Sequence, residues 1–150
     1  HGHHRRQRQM CIRDRHKGRK YLMHLLNIVK NHFDLSSAIG YETWIRMNTR
    51  PRDWHRDHDD RLEMTTGELK YPIGTTLYYP YVDENVKDGR LCFENGTIIL
   101  PKTNRMAFFG PDIYHNVERF KGERLSILLN PWNEPLCQTP CHDPWRRYMV

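Results

Sequence analysis

Five residues in this chain could together work on one metal ion and one dicarboxylate: His55, Asp57, His115, Arg124 and Ser126. Side chains in a β-strand alternate between faces with a period of two. His55-Arg56-Asp57 therefore predicts an imidazole nitrogen and a carboxylate oxygen on the same face of one strand. A third ligand has to come from another strand, because a flat row of residues two apart cannot cap one face of an octahedron. His115, in Ile113-Tyr114-His115-Asn116-Val117, can supply it from a second strand-like segment. A His-x-Asp alone says little in a chain with 10 His. The distal His and the Arg-x-Ser that follows give the pattern its weight.

Two His and one carboxylate on one octahedral face form the facial triad of mononuclear non-haem iron(II) oxygenases. Three protein ligands leave three positions open, two for a chelating 2-oxo acid and one for dioxygen. In Arg124-Leu125-Ser126-Ile127-Leu128-Leu129-Asn130, Arg124, Ser126, Leu128 and Asn130 share one face, and Leu125, Ile127 and Leu129 the other. An Arg guanidinium grips a carboxylate with two prongs, which Lys cannot do. A Ser hydroxyl adds one more hydrogen bond. A rival pair, His58-x-Asp60, overlaps the first in Trp54-His55-Arg56-Asp57-His58-Asp59-Asp60. Strand parity points the two pairs in opposite directions, so only one is expected to face a metal.

Residues 41–132 resemble the iron(II)- and 2-oxoglutarate-dependent dioxygenases, and most of all their prolyl-hydroxylase-like branch with its small bacterial and phage-encoded members. The resemblance rests on Trp54-His55-Arg56-Asp57-His58-Asp59, on Tyr78-Tyr79, on Asp88-Gly89-Arg90-Leu91, on Phe108-Phe109, and on the His115-to-Arg124 spacing. The Trp-His-x-Asp-x-Asp match favours His55 over His58. Gly89-Arg90 departs from the family's commoner Gly-Gly. The stretch of about twenty residues between Asp57 and Tyr78 is longer than in compact relatives, which predicts a local elaboration. The resemblance implies a mainly β double-stranded β-helix, or jelly roll. It implies Fe(II) on His55, Asp57 and His115, with 2-oxoglutarate as co-substrate held by Arg124, Ser126 and Tyr79. Dioxygen is the oxidant and ascorbate a further candidate cofactor. The implied reaction is oxidative decarboxylation of 2-oxoglutarate to succinate, coupled to hydroxylation of a prolyl or other amino-acid side chain. The alternatives are a non-enzymatic, cupin-like metal-binding jelly roll and an inactive fragment.

The elements needed to position these residues are legible in outline. Tyr21, Leu22, Leu25, Leu26, Ile28 and Val29 recur at helical spacing. They predict a support helix over Arg19–Phe33, with a link from Asp34 to Gly40. His24 and His32 on it read as surface or packing residues. Beyond Tyr41 the pattern is one of short strands: 41–48, 51–57, 71–81, 90–95, 97–100, 105–109, 114–119 and 124–131. Turn signals such as Lys87-Asp88-Gly89 and Glu94-Asn95-Gly96 separate them. Eight short strands without alternating helices indicate a jelly roll. Trp44, Arg46, Arg56 and Tyr81 are expected on its substrate rim.

Charge is unevenly spread. The first 20 residues hold eight Lys/Arg and one Asp, a net of +7, whereas residues 21–150 hold 16 Lys/Arg and 17 Asp/Glu, a net of −1. The basic pI of about 9.3 therefore belongs to the start of the chain, and the folded part gives no sign of a nucleic-acid partner. Arg5-Arg6-Gln7-Arg8-Gln9-Met10-Cys11-Ile12-Arg13-Asp14-Arg15 resembles a translated sequencing adapter of the kind found in metagenomic reading frames. On that reading residues 1–15 are not native and the true chain begins upstream of His16. Residues 16–40 are then helix and link, 41–132 the catalytic domain, and 133–150 an irregular tail. Cys92 reads as a small core residue. Cys137-x-x-x-Cys141-His142 offers three ligands where a structural zinc site takes four. No apolar run of about 18 residues predicts a membrane span. A cytoplasmic protein acting on a small-molecule or peptidyl substrate is expected.

Overall fold

The computed structural model describes residues 17–47 and 50–137. Its elements are α1 (Lys17–Val29), β1 (Gly40–Arg46), β2 (Arg52–His55), α2 (Asp60–Thr66), β3 (Thr75–Val82), β4 (Lys87–Asp88), β5 (Leu91–Phe93), β6 (Ile98–Ile99), β7 (Arg105–Phe109), β8 (His115–Val117), β9 (Phe120–Lys121) and β10 (Arg124–Trp132). One antiparallel sheet runs β1-β10-β3-β7 and a second β2-β8-β5-β6; β4 and β9 form a small third. Apart from the β5–β6 hairpin, the chain passes back and forth between the two large sheets, and closure of those sheets on each other makes a double-stranded β-helix. The jelly roll expected from the sequence is the fold observed.

β10 is the spine of the first sheet. It pairs with β1 from Gly40↔Trp132 to Arg46↔Ser126 without a break, and with β3 on its other side. Its Leu129 packs outward with Leu25, Leu26, Val29 and Tyr41, which fixes α1 to the back of the sheet. The α1 residues in that cluster, with Leu22 beside them, sit at i, i+3, i+4 and i+7, the spacing of one helical face. The helix stops at Val29 rather than Phe33. A turn takes over, with the His32 N–H and the Phe33 N–H both donating to the Val29 carbonyl, at 2.9 and 3.1 Å. Phe33 then lies over Gly74, where a Cβ would meet its ring at 2.4 Å. His32 stacks on Phe108 at 3.7 Å and His24 is exposed, so neither lies at the metal-ligand cluster.

A second cluster, Leu77, Tyr79, Leu91, Phe93 and Ala107, fills the space between the sheets. Cys92 sits between Leu91 and Phe93 on the opposite face of β5 and is half-exposed, its Sγ 3.8 Å from Glu118. It is not the core residue expected, because strand parity turns it outward. The long stretch after Asp57 is not plain loop: α2 fills it, capped by the Asp59 carboxylate accepting from the Leu62 N–H at 3.0 Å and closed by Gly67 in the left-handed region. Pro72 and Gly74 keep residues 71–74 out of β3. Residues 1–15, Cys141 and His142 lie outside the described residues, as does the tail after Cys137. No helix among the described residues is long and apolar enough to cross a membrane.

Leu129 is 1% exposed and joins α1 to the sheet. Leu129→Ala is expected to lower unfolding stability by about 2–5 kcal/mol, measured by urea denaturation. A loss below ~1 kcal/mol would mean that α1 is not held through this contact.

Candidate metal centre and anion pocket

Two irregularities place the site. On β2, Arg52 pairs with Val117 and His55 with His115, so Asp53 and Trp54 together lie opposite Asn116. A bulge of this kind re-aims the following side chain. It brings His55 to the inner side with Arg52, and leaves Trp54 outside, 39% exposed and stacked on Tyr114. The strand ends at His55. Asp57 was expected on the same strand, but it sits two residues beyond it in irregular chain. It still reaches the inner side because Thr75, at the start of β3, donates to its Oδ2 at 2.8 Å.

The three side chains converge. The Asp57 Oδ1 lies 3.3 Å from His55 Nε2 and 3.7 Å from His115 Nε2. Metal–ligand bonds of ~2.0–2.2 Å at right angles separate ligand atoms by ~3 Å, so this spacing suits a shared ion. His55 Nδ1 meets the Asp53 carbonyl at 2.6 Å, and His115 Nδ1 the Ile113 carbonyl at 2.8 Å. A ring N–H donated to a carbonyl leaves the other nitrogen with a lone pair, here Nε2 beside Asp57. Thr75 takes one oxygen of Asp57 and leaves the other for the ion. The donor set thus fits a divalent metal.

The electrostatics agree. Burial alone would raise the Asp57 pKa, but the adjoining His55 and His115 imidazoles and the Thr75 hydroxyl outweigh it and hold the carboxyl below its ordinary range. Burial lowers the His115 pKa, only partly opposed by Asp57 and the Ile113 carbonyl. Phe93 and Phe109 rings pack around that imidazole. Its neutral form, the one that ligates a metal, is favoured.

A cavity of about 150 Å³ opens from these residues and is lined as well by Arg46, Arg124, Ser126 and Asn130. This is well short of the ~300–1,000 Å³ of a pocket for drug-sized ligands, and suits a small acid. At one end lies Arg124, 8% exposed. Its Nη1 donates to the Gly89 carbonyl at 2.7 Å, and its guanidinium lies 3.9 Å from the Phe120 ring centre and 5.5 Å from that of Tyr79. Among the described residues no carboxylate pairs with it. Burial lowers its pKa, opposed by Tyr79, yet an Arg stays charged. The Tyr79 hydroxyl is buried without a hydrogen-bond partner, as is Arg46 Nε. Ser126 is buried on the Arg124 side of β10.

A scan against protein-family models and a search of curated proteins found no match. Among solved structures, the chain is similar to a cupin-2 domain containing protein from Shewanella frigidimarina. Identity is 14% and the TM-score 0.40, over 61% of this chain and 71% of that chain. The strand order carries the fold without this likeness.

Several residues fall differently from expectation. His58 also lines the cavity, because the chain has left the strand and parity no longer applies. With Asp60 and Glu63 it makes a second metal-capable group. His58 Nε2 is already engaged by Glu63 at 2.5 Å, its Nδ1 meets the Arg56 carbonyl at 2.9 Å, and Asp60 and Glu63 are exposed. Of the expected rim, Trp44 and Arg46 line the cavity. Arg56 instead pairs with Asp112 at 2.7 Å on the surface. Tyr81 is 47% exposed because Tyr79 and Pro80 together oppose Ser126, a bulge that reverses the parity of β3. Thr75, Glu42, Gly89 and Phe120 were missed. Glu42 was findable, since Glu42-Trp44-Arg46 alternate along β1, as Thr75 does with Leu77 and Tyr79. Gly89 and Phe120 carry no local signal for their contact with Arg124.

His115→Ala is expected to abolish binding of Mn(II) or Fe(II). Thr75→Val should weaken it by ~10–100-fold, and His58→Ala should leave it intact, all by calorimetry. Retained binding in His55→Ala with loss in His58→Ala would move the site to the second group. The His115 contribution should be flat above pH 6.5, the ordinary His value, and lost only as pH falls below it.

Proposed function

We propose that this protein is an iron(II)- and 2-oxoglutarate-dependent dioxygenase that hydroxylates an amino-acid side chain, with prolyl groups among the candidates. The observation that carries the reading is Arg124: a buried guanidinium, without a carboxylate partner among the described residues, on the wall of the cavity that holds His55, Asp57 and His115. A buried charge is costly unless it is paired. A cation kept unpaired at the end of a small cavity is matched to an anionic ligand. Arg46 supports the same reading: burial lowers its pKa, and the fields of Arg52 and Arg124 push the same way.

Each residue then has a task. His55 and His115 present neutral Nε2 atoms, and Asp57 presents Oδ1, to one ion. Iron(II), when bound, supplies open coordination positions at which a 2-oxo acid and dioxygen can meet; ascorbate would serve as accessory cofactor. Arg124 holds the far carboxylate of 2-oxoglutarate in its planar fork. Ser126 adds a hydroxyl, and the unpartnered Tyr79 hydroxyl lies ready to donate. Phe93, Phe109 and Leu91 keep water from the imidazole side. Gly89 positions the clamp: its φ is +74°, and a Cβ there would lie 2.7 Å from Arg124 Nη1.

The His/Asp/His group serves equally a jelly roll that binds metal without turnover. Formation of succinate from 2-oxoglutarate by Fe(II)-loaded protein separates the two, and its absence would favour the binding protein. Arg124→Lys keeps the charge but loses the fork, worth ~1.5–3 kcal/mol. It should raise the apparent 2-oxoglutarate constant by roughly ten- to a hundredfold with metal binding retained. Unchanged 2-oxoglutarate dependence in Arg124→Ala would remove the clamp.

A further inference from the structure

The wall of the cavity carries two acceptors that neither the metal nor a dicarboxylate uses. Glu42 and Asn130 pair across the β1–β10 register, both line the cavity, and the Asn130 amide donates to Glu42 Oε1 at 3.4 Å. They stand on the metal side: Thr75, which holds Asp57, is next to Thr76, the partner of Leu129, and the field of Asp57 reaches Glu42. Among the described residues no ion pair involves Glu42. Its neighbours are neutral donors, the Trp44 and Asn130 side chains and the Trp132 indole, whose N–H approaches without closing a hydrogen bond. Independently, Asn130 is 1% exposed and its Oδ1 has no partner. Burial, together with the field of Asp57, pushes the Glu42 pKa above the ordinary carboxylate range, the mark of an acid with no cation beside it, and next to it the Asn130 amide oxygen has no donor. The unpartnered donors lie toward Arg124, Arg46 Nε on β1 and the Tyr79 hydroxyl on β3, the other neighbour of β10. Anions are served at one end, and at the metal end the unmet demand is for a cationic hydrogen-bond donor.

We propose that Glu42 and Asn130 form an ammonium subsite, so that the substrate oxidised here carries a protonated amine. The proposal rests on the dioxygenase reading and narrows its substrate class. A peptidyl proline has no N–H and no charge at its nitrogen, so it meets neither acceptor. A free primary or secondary amine meets both. Trp44, between Glu42 and Arg46 on the same face of β1, offers an indole beside the cation.

The probes are butylammonium and N-butylacetamide, which share a chain and differ in charge. Each is titrated into Mn(II)-loaded protein and read by broadening of its CH₂ proton resonances. Butylammonium should be broadened and the acetamide should not. Glu42→Gln keeps shape and removes charge; it should weaken butylammonium binding about tenfold or more while Mn(II) affinity is retained. Asn130→Ala should weaken it less. Equal broadening by both probes, or unchanged butylammonium affinity in Glu42→Gln, overturns the subsite. Should the protein bind no Mn(II), the metal reading fails by itself, and the same probe pair and the same Glu42→Gln comparison are read by saturation transfer on the metal-free protein.

Discussion

The cost of burying the Arg124 guanidinium governs the rest of this structure. An unpaired ion removed from water costs several kcal/mol even after relaxation, and the chain offsets only part of it. One carbonyl oxygen, from Gly89, accepts from Nη1, and the faces of Phe120 and Tyr79 cover the cation. To bring that carbonyl so close the backbone at Gly89 enters the left-handed region, where only glycine avoids a clash with both Arg124 and Phe120. The two-stranded β4–β9 sheet exists at this place, pairing Asp88 with Phe120 directly beside the contact. What remains unsatisfied in Arg124 is directional, since the other N–H groups of the fork keep their capacity for an anion in the cavity.

The same logic explains why both functional edges of the barrel are irregular. Regular pairing on β2 would have sent His55 and Arg52 to opposite faces, and the two-against-one pairing at Asp53-Trp54 brings them to one. The bulge also provides a carbonyl, that of Asp53, which fixes the His55 tautomer at 2.6 Å. On β3 Tyr79 points inward next to Arg124 in step with Thr75 and Leu77, and the irregularity at Tyr79-Pro80 then returns Val82, the partner of Arg124, to the inner side. Proline suits that position because it has no N–H to give to a ladder. Regular strands hold the walls apart, while the bulges aim the reactive side chains.

Much of this was legible in the sequence because it depends on periodicity. The even positions of β10, the amphipathic α1, and the short strands between turns follow from spacing alone, and they yield the jelly roll with Arg124 and Ser126 on the cavity side. What escaped depends on interruptions of that period. Tyr81, expected on the rim, shares the parity of Tyr79, and the bulge at Tyr79-Pro80 reverses that parity and turns it outward. Asp57 was read as a strand residue, but the strand ends at His55 and a hydroxyl eighteen positions away, on Thr75, holds the carboxylate. α2 had a cap at Asp59 and a stop at Gly67, yet its seven residues are too few for helical periodicity to stand out. Gly89 and Phe120 act on Arg124 across the fold, and contacts of that range leave no mark on local pattern.

β10 joins stability and chemistry in one strand. Its outward residue Leu129 is part of the core under α1, while its inward residues form the floor of the cavity. Unbroken pairing with β1 then places side chains in fixed rungs along that cavity: Glu42 with Asn130, Trp44 with Leu128, Arg46 with Ser126. Acceptors stand at the metal end, an apolar rung follows, and donors lead toward Arg124. A slip of one residue would turn every one of these outward and bring Leu129 into the cavity, so the packing of α1 against Leu129 and Tyr41 opposes any such slip. The order of chemistries along the cavity is therefore enforced by apolar burial on the opposite face of the same strand. Side chains that never touch the cavity decide which end of it is basic.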